Sequence, residues 1–217
     1  MKTSISGEKY ELLESLLWDG RSLFLDLAHI DRLQKAANFF DFPFDRIKIE
    51  SELYQHCSDL PASPYKIRLL VDKEGHVTCQ SVKIIPVTQP VICRLAQTSV
   101  DTNNPFLYHK TTQRSLYDQA LSAVLTIHSD CQEVLLWNQR SELTESSRSN
   151  IVVEREGKRL TPAVDCGLLA GTFRQHLLQQ GEIEESIIRL DELPTIRQLW
   201  LVNSVRKWQR AELRVCS

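Results

Sequence analysis

An α+β fold in two lobes is predicted by the order in which apolar and polar residues follow one another. Strand-like and helix-like segments occur in mixed order, whereas a doubly wound sheet would need steady β-α-β alternation. Two Gly-containing turns also separate pairs of apolar runs, as in antiparallel hairpins. A polar stretch then interrupts the chain near its middle. We therefore expect an N-terminal lobe over residues 1–96, a linker over 97–106 and a C-terminal lobe over 107–217.

The first lobe is predicted to begin with a hairpin and two helices. Apolar runs at 10–18 and 22–25 flank Asp19-Gly20, a strong hairpin signal. Asp26 is expected to cap a helix that ends before Pro43. Its apolar positions recur at helical spacing and are Leu27, Ile30, Leu33, Ala37 and Phe40. A second helix is expected over about 44–57.

The remaining elements follow from the same patterns. Runs at 65–71 and 76–84 flank a turn at 72–75 and predict a second hairpin, and 91–96 adds a strand before the linker. The second lobe is predicted to contain helices over about 112–127 and 171–180, and strands over 133–137, 141–144, 151–154, 160–161, 199–203 and 211–215.

Composition and charge argue against several classes of function. Hydrophobic residues make up 42% and charged residues 25% of the 217 residues, which is ordinary for a globular protein. The net charge is -2, so we expect neither a nucleic acid nor an anionic membrane as a partner. No apolar run approaches the roughly 20 residues that span a bilayer.

The cysteines and the first residues predict an intracellular protein without a structural metal. Residues 1–7 lack the apolar core of a signal peptide. The six cysteines are scattered and form no CxxC pair, so no metal site is expected. Without a signal peptide they are predicted to be free thiols in a reducing cytoplasm.

Four short segments, weak singly, are specific in their combined order and spacing: 29–33, 108–114, 143–150 and 167–174. With them the chain resembles the class IV aminotransferase family, which includes branched-chain and D-amino-acid aminotransferases and aminodeoxychorismate lyase. The resemblance implies the two-lobed fold of that family, with pyridoxal 5'-phosphate in the cleft between the lobes. It also implies a small-molecule substrate and, as is usual in the family, a homodimer.

The resemblance also implies which residues carry the chemistry. Lys110 matches the catalytic lysine that binds the cofactor covalently, which requires an amine whose pKa is lowered by burial and neighbouring cations. Glu145 matches the acid that pairs with the pyridine nitrogen and keeps it protonated. Arg32 matches the arginine that reaches the phosphate, whose oxygens suit a guanidinium fork.

Five further residues are implied as cofactor contacts. Gly171, Thr172 and Phe173 match a turn whose backbone amides hold the phosphate at the start of a helix. Ser204 occupies the position of a further polar phosphate contact, after Asn203. Asn150 matches the asparagine at the end of segment 143–150, the segment that contains Glu145.

Within the family, three segments resemble lyases that act on 4-amino-4-deoxychorismate: 16–20, 106–112 and 199–206. Aminotransferases typically carry a tyrosine five positions after the lysine, where this chain has Ser115. The resemblance therefore implies conversion of 4-amino-4-deoxychorismate to 4-aminobenzoate and pyruvate, a step toward folate. Two alternatives stay open. One is a transaminase of D- or branched-chain amino acids, and the other is a non-catalytic cofactor-binding relative, suggested by the short approach to the first strand.

Overall fold

The computed structural model describes residues 9–214 and has a mixed α+β architecture built on two sheets. The first sheet contains β1 (Leu12–Trp18), β2 (Leu23–Phe24), β3 (Tyr65–Val71) and β4 (Val77–Lys83), all antiparallel, in the order β2-β1-β3-β4. Both predicted hairpins of the first lobe are confirmed. Residues 1–7, for which no signal peptide is predicted, lie outside the described part of the chain.

Two helices cover one face of this sheet. They are α1 (Asp26–Phe40) and α2 (Arg46–Ser58). Alternate residues of β1, Leu12 and Leu16, pack with Ile67 and Leu69 of β3 against the apolar side of the helices. This packing leaves the opposite face of β1 and β3 directed toward the second sheet, where the cavity described below lies.

The second sheet has eight strands, in the order β10-β9-β8-β11-β12-β5-β6-β7. They are β5 (Val91–Leu95), β6 (Glu133–Trp137), β7 (Leu143–Ser146), β8 (Asn150–Arg155), β9 (Lys158–Pro162), β10 (Glu184–Ser186), β11 (Gln198–Asn203) and β12 (Lys207–Leu213). An additional pairing of β7 with β8 closes six of these strands into a ring. Two helices, α3 (Ser115–Leu125) and α4 (Thr172–Gln179), pack against it.

The change from one sheet to the other comes earlier than the linker predicted at 97–106. The strand β5 was assigned to the first lobe, but it lies between β12 and β6 in the second sheet. The transition therefore falls between Lys83 and Val91. Part of the predicted linker lies beside the second sheet, since Val100 forms an isolated β-bridge with Asn138, the residue after β6. The division into two lobes at 97–106 stays a prediction.

Two predicted helix starts are wrong for identifiable reasons. Asp26 does not cap α1, because Leu25 occupies the N-cap position and the Asp26 carboxylate accepts a 2.7 Å hydrogen bond from Tyr54 of α2. The third helix begins at Ser115 rather than near Thr112, because the residues before it pair with β1. Among residues 9–214, no helix combines the length and the apolar character needed to cross a membrane.

Candidate functional site

A cavity of about 540 Å³ lies between the open face of the first sheet and the strand ring. The first residues of α4 and part of α1 complete its wall. All eight residues selected from the sequence line this cavity: Arg32, Lys110, Glu145, Asn150, Gly171, Thr172, Phe173 and Ser204. Segments more than a hundred residues apart in sequence are thus brought to one place. The roles assigned to these residues remain predictions.

Lys110 lies on a segment that pairs with β1. The backbone N–H of Leu13 donates to the carbonyl of Lys110 at 3.1 Å, and the N–H of Thr112 donates to the carbonyl of Glu11 at 2.9 Å. This pairing fixes the backbone around the lysine. Burial, together with the nearby charge of Arg32, lowers the pKa of Lys110 from 10.5 to about 8. A larger fraction of the amine is therefore neutral near pH 7, as a nucleophile requires.

Glu145 faces the same cavity from β7, and both of its oxygens are engaged. The Tyr117 hydroxyl donates to Oε1 at 2.8 Å. Nδ2 of Asn150, which is the pairing partner of Glu145 across β7 and β8, lies 3.3 Å from Oε2 and 2.8 Å from the Leu169 carbonyl. Burial raises the pKa of Glu145 to about 7, against the opposing effects of Tyr117 and Lys110. A cationic nitrogen beside this carboxylate would favour its ionised form.

Arg32 is held at the cavity by a buried carboxylate. Its Nε and Nη2 donate to the two oxygens of Glu14 at 2.8 and 2.6 Å, and its Nη1 donates to the Ala170 carbonyl at 3.3 Å. Burial acts to raise the pKa of Glu14, but the charge of Arg32 and the hydrogen bonds from Arg32 and His29 outweigh it and lower that pKa to about 2. Glu14 therefore stays ionised and fixes the guanidinium between β1 and the segment before α4.

The start of α4 forms a polar end of the cavity. Gly171 is the N-cap, and Thr172 and Phe173 are the first helical residues, with no acidic side chain in the first turn. The hydroxyl oxygens of Thr172 and Ser204 lie 2.5 Å apart, and Thr172 Oγ1 lies 3.0 Å from Nε2 of His29. Free backbone N–H groups and the positive helix end favour an anion at this position.

The hydrogen bonds of His29 can be oriented from their chemistry. Burial lowers the pKa of His29, although Glu14 opposes this effect, so the ring is neutral at pH 7. A carboxylate only accepts, so Nδ1, 2.7 Å from Glu14, carries the proton and donates. Nε2 then accepts from the Thr172 hydroxyl. A buried chain of hydrogen bonds thus joins β1, α1 and the start of α4.

Position 171 leaves no room for a side chain, because a Cβ there would overlap Oδ1 of Asn150. The absence of a side chain at Gly171 therefore lets Asn150 pack closely against the start of α4. The cavity combines the start of α4 with the Lys110 amine of lowered pKa and with the buried Glu145 carboxylate. Those groups fit the phosphate, the aldehyde and the ring nitrogen of pyridoxal phosphate respectively.

Three residues of this site were not predicted from the sequence: Glu14, His29 and Tyr117. Glu14 carried a usable signal, since it lies between Leu12 and Leu16 on the apolar face of a strand, where a carboxylate needs a partner. Ser115 occupies the position where aminotransferases typically carry a tyrosine. Its side chain is exposed and does not line the cavity. The tyrosine that does line it is Tyr117, two positions further on.

One cluster outside the cavity also has metal-ligand geometry. Asp72, Glu74 and His76 lie close together at the turn between β3 and β4. The Asp72 carboxylate already accepts from the backbone N–H groups of Glu74 and His76 at 3.0 and 2.8 Å. The cluster is therefore accounted for by the turn.

Comparison with known proteins identifies the family. Residues 11–212 match the family model described as amino-transferase class IV. The chain belongs to this family. Its members use pyridoxal phosphate, in agreement with the groups that line the cavity.

Individual relatives include both lyases and aminotransferases. A Schizosaccharomyces pombe protein provisionally assigned as an aminodeoxychorismate lyase is 32% identical over 207 residues, covering 92% of this chain and 88% of the relative. A crystal structure of a provisionally assigned amino-acid aminotransferase from Mesorhizobium loti has a TM-score of 0.87 and 33% identity, covering 94% of this chain and 100% of that one. The structure of 4-amino-4-deoxychorismate lyase from Pseudomonas aeruginosa has a TM-score of 0.76 at 18% identity, covering 94% and 82%. At that identity it supports the fold alone.

Proposed function

We propose that this chain is a pyridoxal-phosphate-dependent lyase that converts 4-amino-4-deoxychorismate to 4-aminobenzoate and pyruvate. The observation that carries the proposal is the placement of Lys110 and Glu145 on one cavity, with pKa values of about 8 and about 7. The choice of lyase is supported by the Schizosaccharomyces pombe relative, which aligns with 92% of the chain.

The chain's residues divide into binding and proton-handling groups. Arg32, the backbone amides at the start of α4 and the hydroxyls of Thr172 and Ser204 would hold the phosphate. Glu145 would pair with the ring nitrogen, and Asn150 and Tyr117 keep its carboxylate in place. Lys110 would carry the cofactor until the substrate amine displaces it.

Bound pyridoxal phosphate supplies an electron-withdrawing ring that makes the hydrogen on the amine-bearing carbon more acidic. Lys110 Nζ, once displaced, accepts this proton as a general base, for which a pKa of about 8 is well suited. The bond from the six-membered ring to the enolpyruvyl oxygen then breaks, and its electron pair leaves with that oxygen. Lys110 can return its proton to the leaving enolpyruvate, giving pyruvate.

This reaction balances without another reactant, since the atoms of 4-aminobenzoate and pyruvate together equal those of the substrate. Formation of the aromatic ring provides much of the driving force. The protein therefore needs chiefly to place one base, Lys110, and one anionic partner for the ring nitrogen, Glu145.

A transaminase is the second candidate, because the Mesorhizobium loti relative of 33% identity is assigned as an aminotransferase. A transaminase must store the amino group on its cofactor and then pass it to a keto acid. A lyase has no such need, because the amine stays on its aromatic product.

The two candidates are separated by assays on protein saturated with pyridoxal phosphate. The proposal predicts equal amounts of pyruvate and 4-aminobenzoate from 4-amino-4-deoxychorismate over many turnovers. It also predicts that D-alanine, L-glutamate and L-leucine leave the cofactor absorbance largely unchanged when no keto acid is present. Rapid conversion to pyridoxamine phosphate without pyruvate release would assign the chain to the transaminases. Inactivity in both assays would favour a non-catalytic relative.

A further inference from the structure

The cavity is lined by more basic side chains than the proposed cofactor site uses. Eight lining residues are Lys or Arg, and two are acidic. The basic residues are Arg32, Lys66, Arg68, Lys83, Lys110, Arg114, Arg148 and Arg206. Arg32 and Lys110 have roles in the proposed function. Six basic side chains are therefore left without an assigned role.

Two of these cations come from a single strand. Lys66 and Arg68 alternate along β3 with Ile67 and Leu69, which pack into the core under the helices. Because side chains alternate across a strand, Lys66 and Arg68 are placed on the cavity face. Within residues 9–214, neither side chain makes a hydrogen bond or a salt bridge. A half-buried cation without a partner is costly, so a bound anion would stabilise both.

Three arginines approach the same region from turns and loops. Arg114 donates to the Ser147 carbonyl at 2.5 Å. Arg206 donates to the Ile85 carbonyl at 2.7 Å. Each has further N–H groups, so these contacts position the guanidinium without using all of its donors.

The third arginine, Arg148, pairs with Glu133, one of the two acids that line the cavity. Its Nη1 lies 3.0 Å from Oε1 of Glu133, whose other oxygen accepts from the Ser147 hydroxyl. Glu133 is therefore already occupied and leaves the neighbouring cations uncompensated.

The arginine charges act on Lys66. The pKa of Lys66 is lowered by burial and by the charges of Arg68, Arg148, Arg114 and Arg206. All five side chains line the same cavity. We call Lys66, Arg68, Arg114, Arg148 and Arg206 the basic cluster.

We infer that the basic cluster binds the carboxylates of a substrate that carries two of them. Five cations line a cavity that has two carboxylates, Glu133 and Glu145, and both of these already have hydrogen-bond partners. Guanidinium forks match carboxylates in two-point hydrogen bonds. A substrate with one carboxylate would leave most of this charge uncompensated, so the cluster favours dicarboxylates over monoanionic amino acids. The inference rests on the proposed function for the position of the reacting amine, but its binding preference can be measured separately.

The test compares two aromatic probes on protein saturated with pyridoxal phosphate. Benzene-1,3-dicarboxylate and benzoate differ by one carboxylate, and calorimetry measures the Kd of each. We expect the dicarboxylate to bind about 10- to 100-fold more tightly, as one additional charge-assisted contact implies. This preference should fall as salt is raised.

Variants locate the effect. Arg68→Met keeps an apolar stem and should reduce the preference to about threefold or less. Lys83→Met is the matched control, since it removes a cation at the same cavity that is not among the charges acting on Lys66, and it should keep the preference. Equal Kd values for the two probes in the unaltered protein, or equal losses in both variants, would overturn the inference. The salt series requires no variant, so a failure of Arg68→Met to fold leaves that test intact.

The two proposals fail in different ways. Pyruvate release without any dicarboxylate preference would contradict the basic cluster alone. Absence of the absorbance of bound pyridoxal phosphate would contradict the proposed function, while calorimetry on the same sample would still decide the preference.

Discussion

The hydroxyl of Tyr117 donates a 2.8 Å hydrogen bond to Oε1 of Glu145, and both side chains are buried in the cavity wall. This contact joins α3 to β7 and opposes the rise in the pKa of Glu145 that burial causes. Tyr117 is thus a positioning residue for the carboxylate that we expect to face the ring nitrogen.

Tyr117→Phe should therefore raise the pKa of Glu145 above about 7 and weaken its pairing with the ring nitrogen. A hydrogen bond to a charged group contributes about 1.5–3 kcal/mol, so we expect kcat to fall by about tenfold or more while the Kd for the cofactor changes little. Steady-state kinetics and cofactor titration measure the two effects. Tyr108→Phe is the control, because Tyr108 donates to the Thr102 carbonyl outside the cavity. Equal kcat in both variants would rule out the positioning role.

The Glu14 carboxylate should stabilise the fold in a pH-dependent way. Glu14→Gln leaves the Arg32 guanidinium without its anion, and we expect a loss of about 3 kcal/mol in the free energy of unfolding. Because the folded pKa of about 2 lies below the ordinary value of 4.5, this stabilisation is complete above about pH 4.5 and is lost as the pH falls toward 2. Urea unfolding from pH 8 downward measures it.

The matched control for this substitution is Glu50→Gln, which removes a half-exposed partner of Arg46 and should cost less than about 0.5 kcal/mol. A difference between Glu14→Gln and the unaltered protein that stayed constant down to pH 3 would argue against an ionised Glu14 as its source.

The absence of a side chain at position 171 should be necessary for the cavity. Gly171→Ala would displace Asn150 from Leu169 and Glu145, and we expect a loss of about 1–3 kcal/mol in stability with weaker cofactor binding. Adding Asn150→Ala removes the overlap, so the double variant should lose less stability than the sum of the single variants. Strictly additive losses would show that the overlap is relieved in another way.

Attachment of the cofactor should depend on the ionisation of Lys110. Only the neutral amine attacks an aldehyde, so the rate of attachment to the apoprotein should rise from pH 6 and level off with a midpoint near 8. Stopped-flow absorbance measures this rate, with N-acetyl-lysinamide as the solvated control. Because the unfolded chain binds this proton more tightly, the apoprotein should also become more stable between about pH 8 and 10.5. A midpoint near the control value would contradict the burial of the amine.

Local patterns were sufficient to predict most of the elements that frame the site. The helical spacing from Ile30 to Phe40 predicted α1, and the turn at 72–75 predicted the β3–β4 hairpin. The short strand β10 was missed because its residues, Glu184–Ser186, are all polar and show no alternation of apolar and polar residues. Its parallel pairing with β9 depends on a contact between separate segments of the chain. The place of β5 in the second sheet is likewise decided by strands distant in sequence.

Site residues were predicted where the family resemblance names them. Residues whose role depends on partners distant in sequence were missed. The side chains of Lys110 and Glu145 were selected from sequence segments, and the structure brings both to one cavity. Tyr117 was not selected, because its partner Glu145 is 28 residues away and only the packing of α3 joins them. The basic cluster was also missed, since its members come from four separate segments.

The identity of the attachment residue tests the central claim most directly. The protein saturated with pyridoxal phosphate should be reduced with borohydride, digested and mapped by mass spectrometry. We predict a pyridoxyl group on Lys110, and no such group and no bound-cofactor absorbance in Lys110→Ala. Lys66 lines the same cavity and is the internal comparison. A pyridoxyl group on Lys66 or on any other lysine, with Lys110 unmodified, would contradict the account.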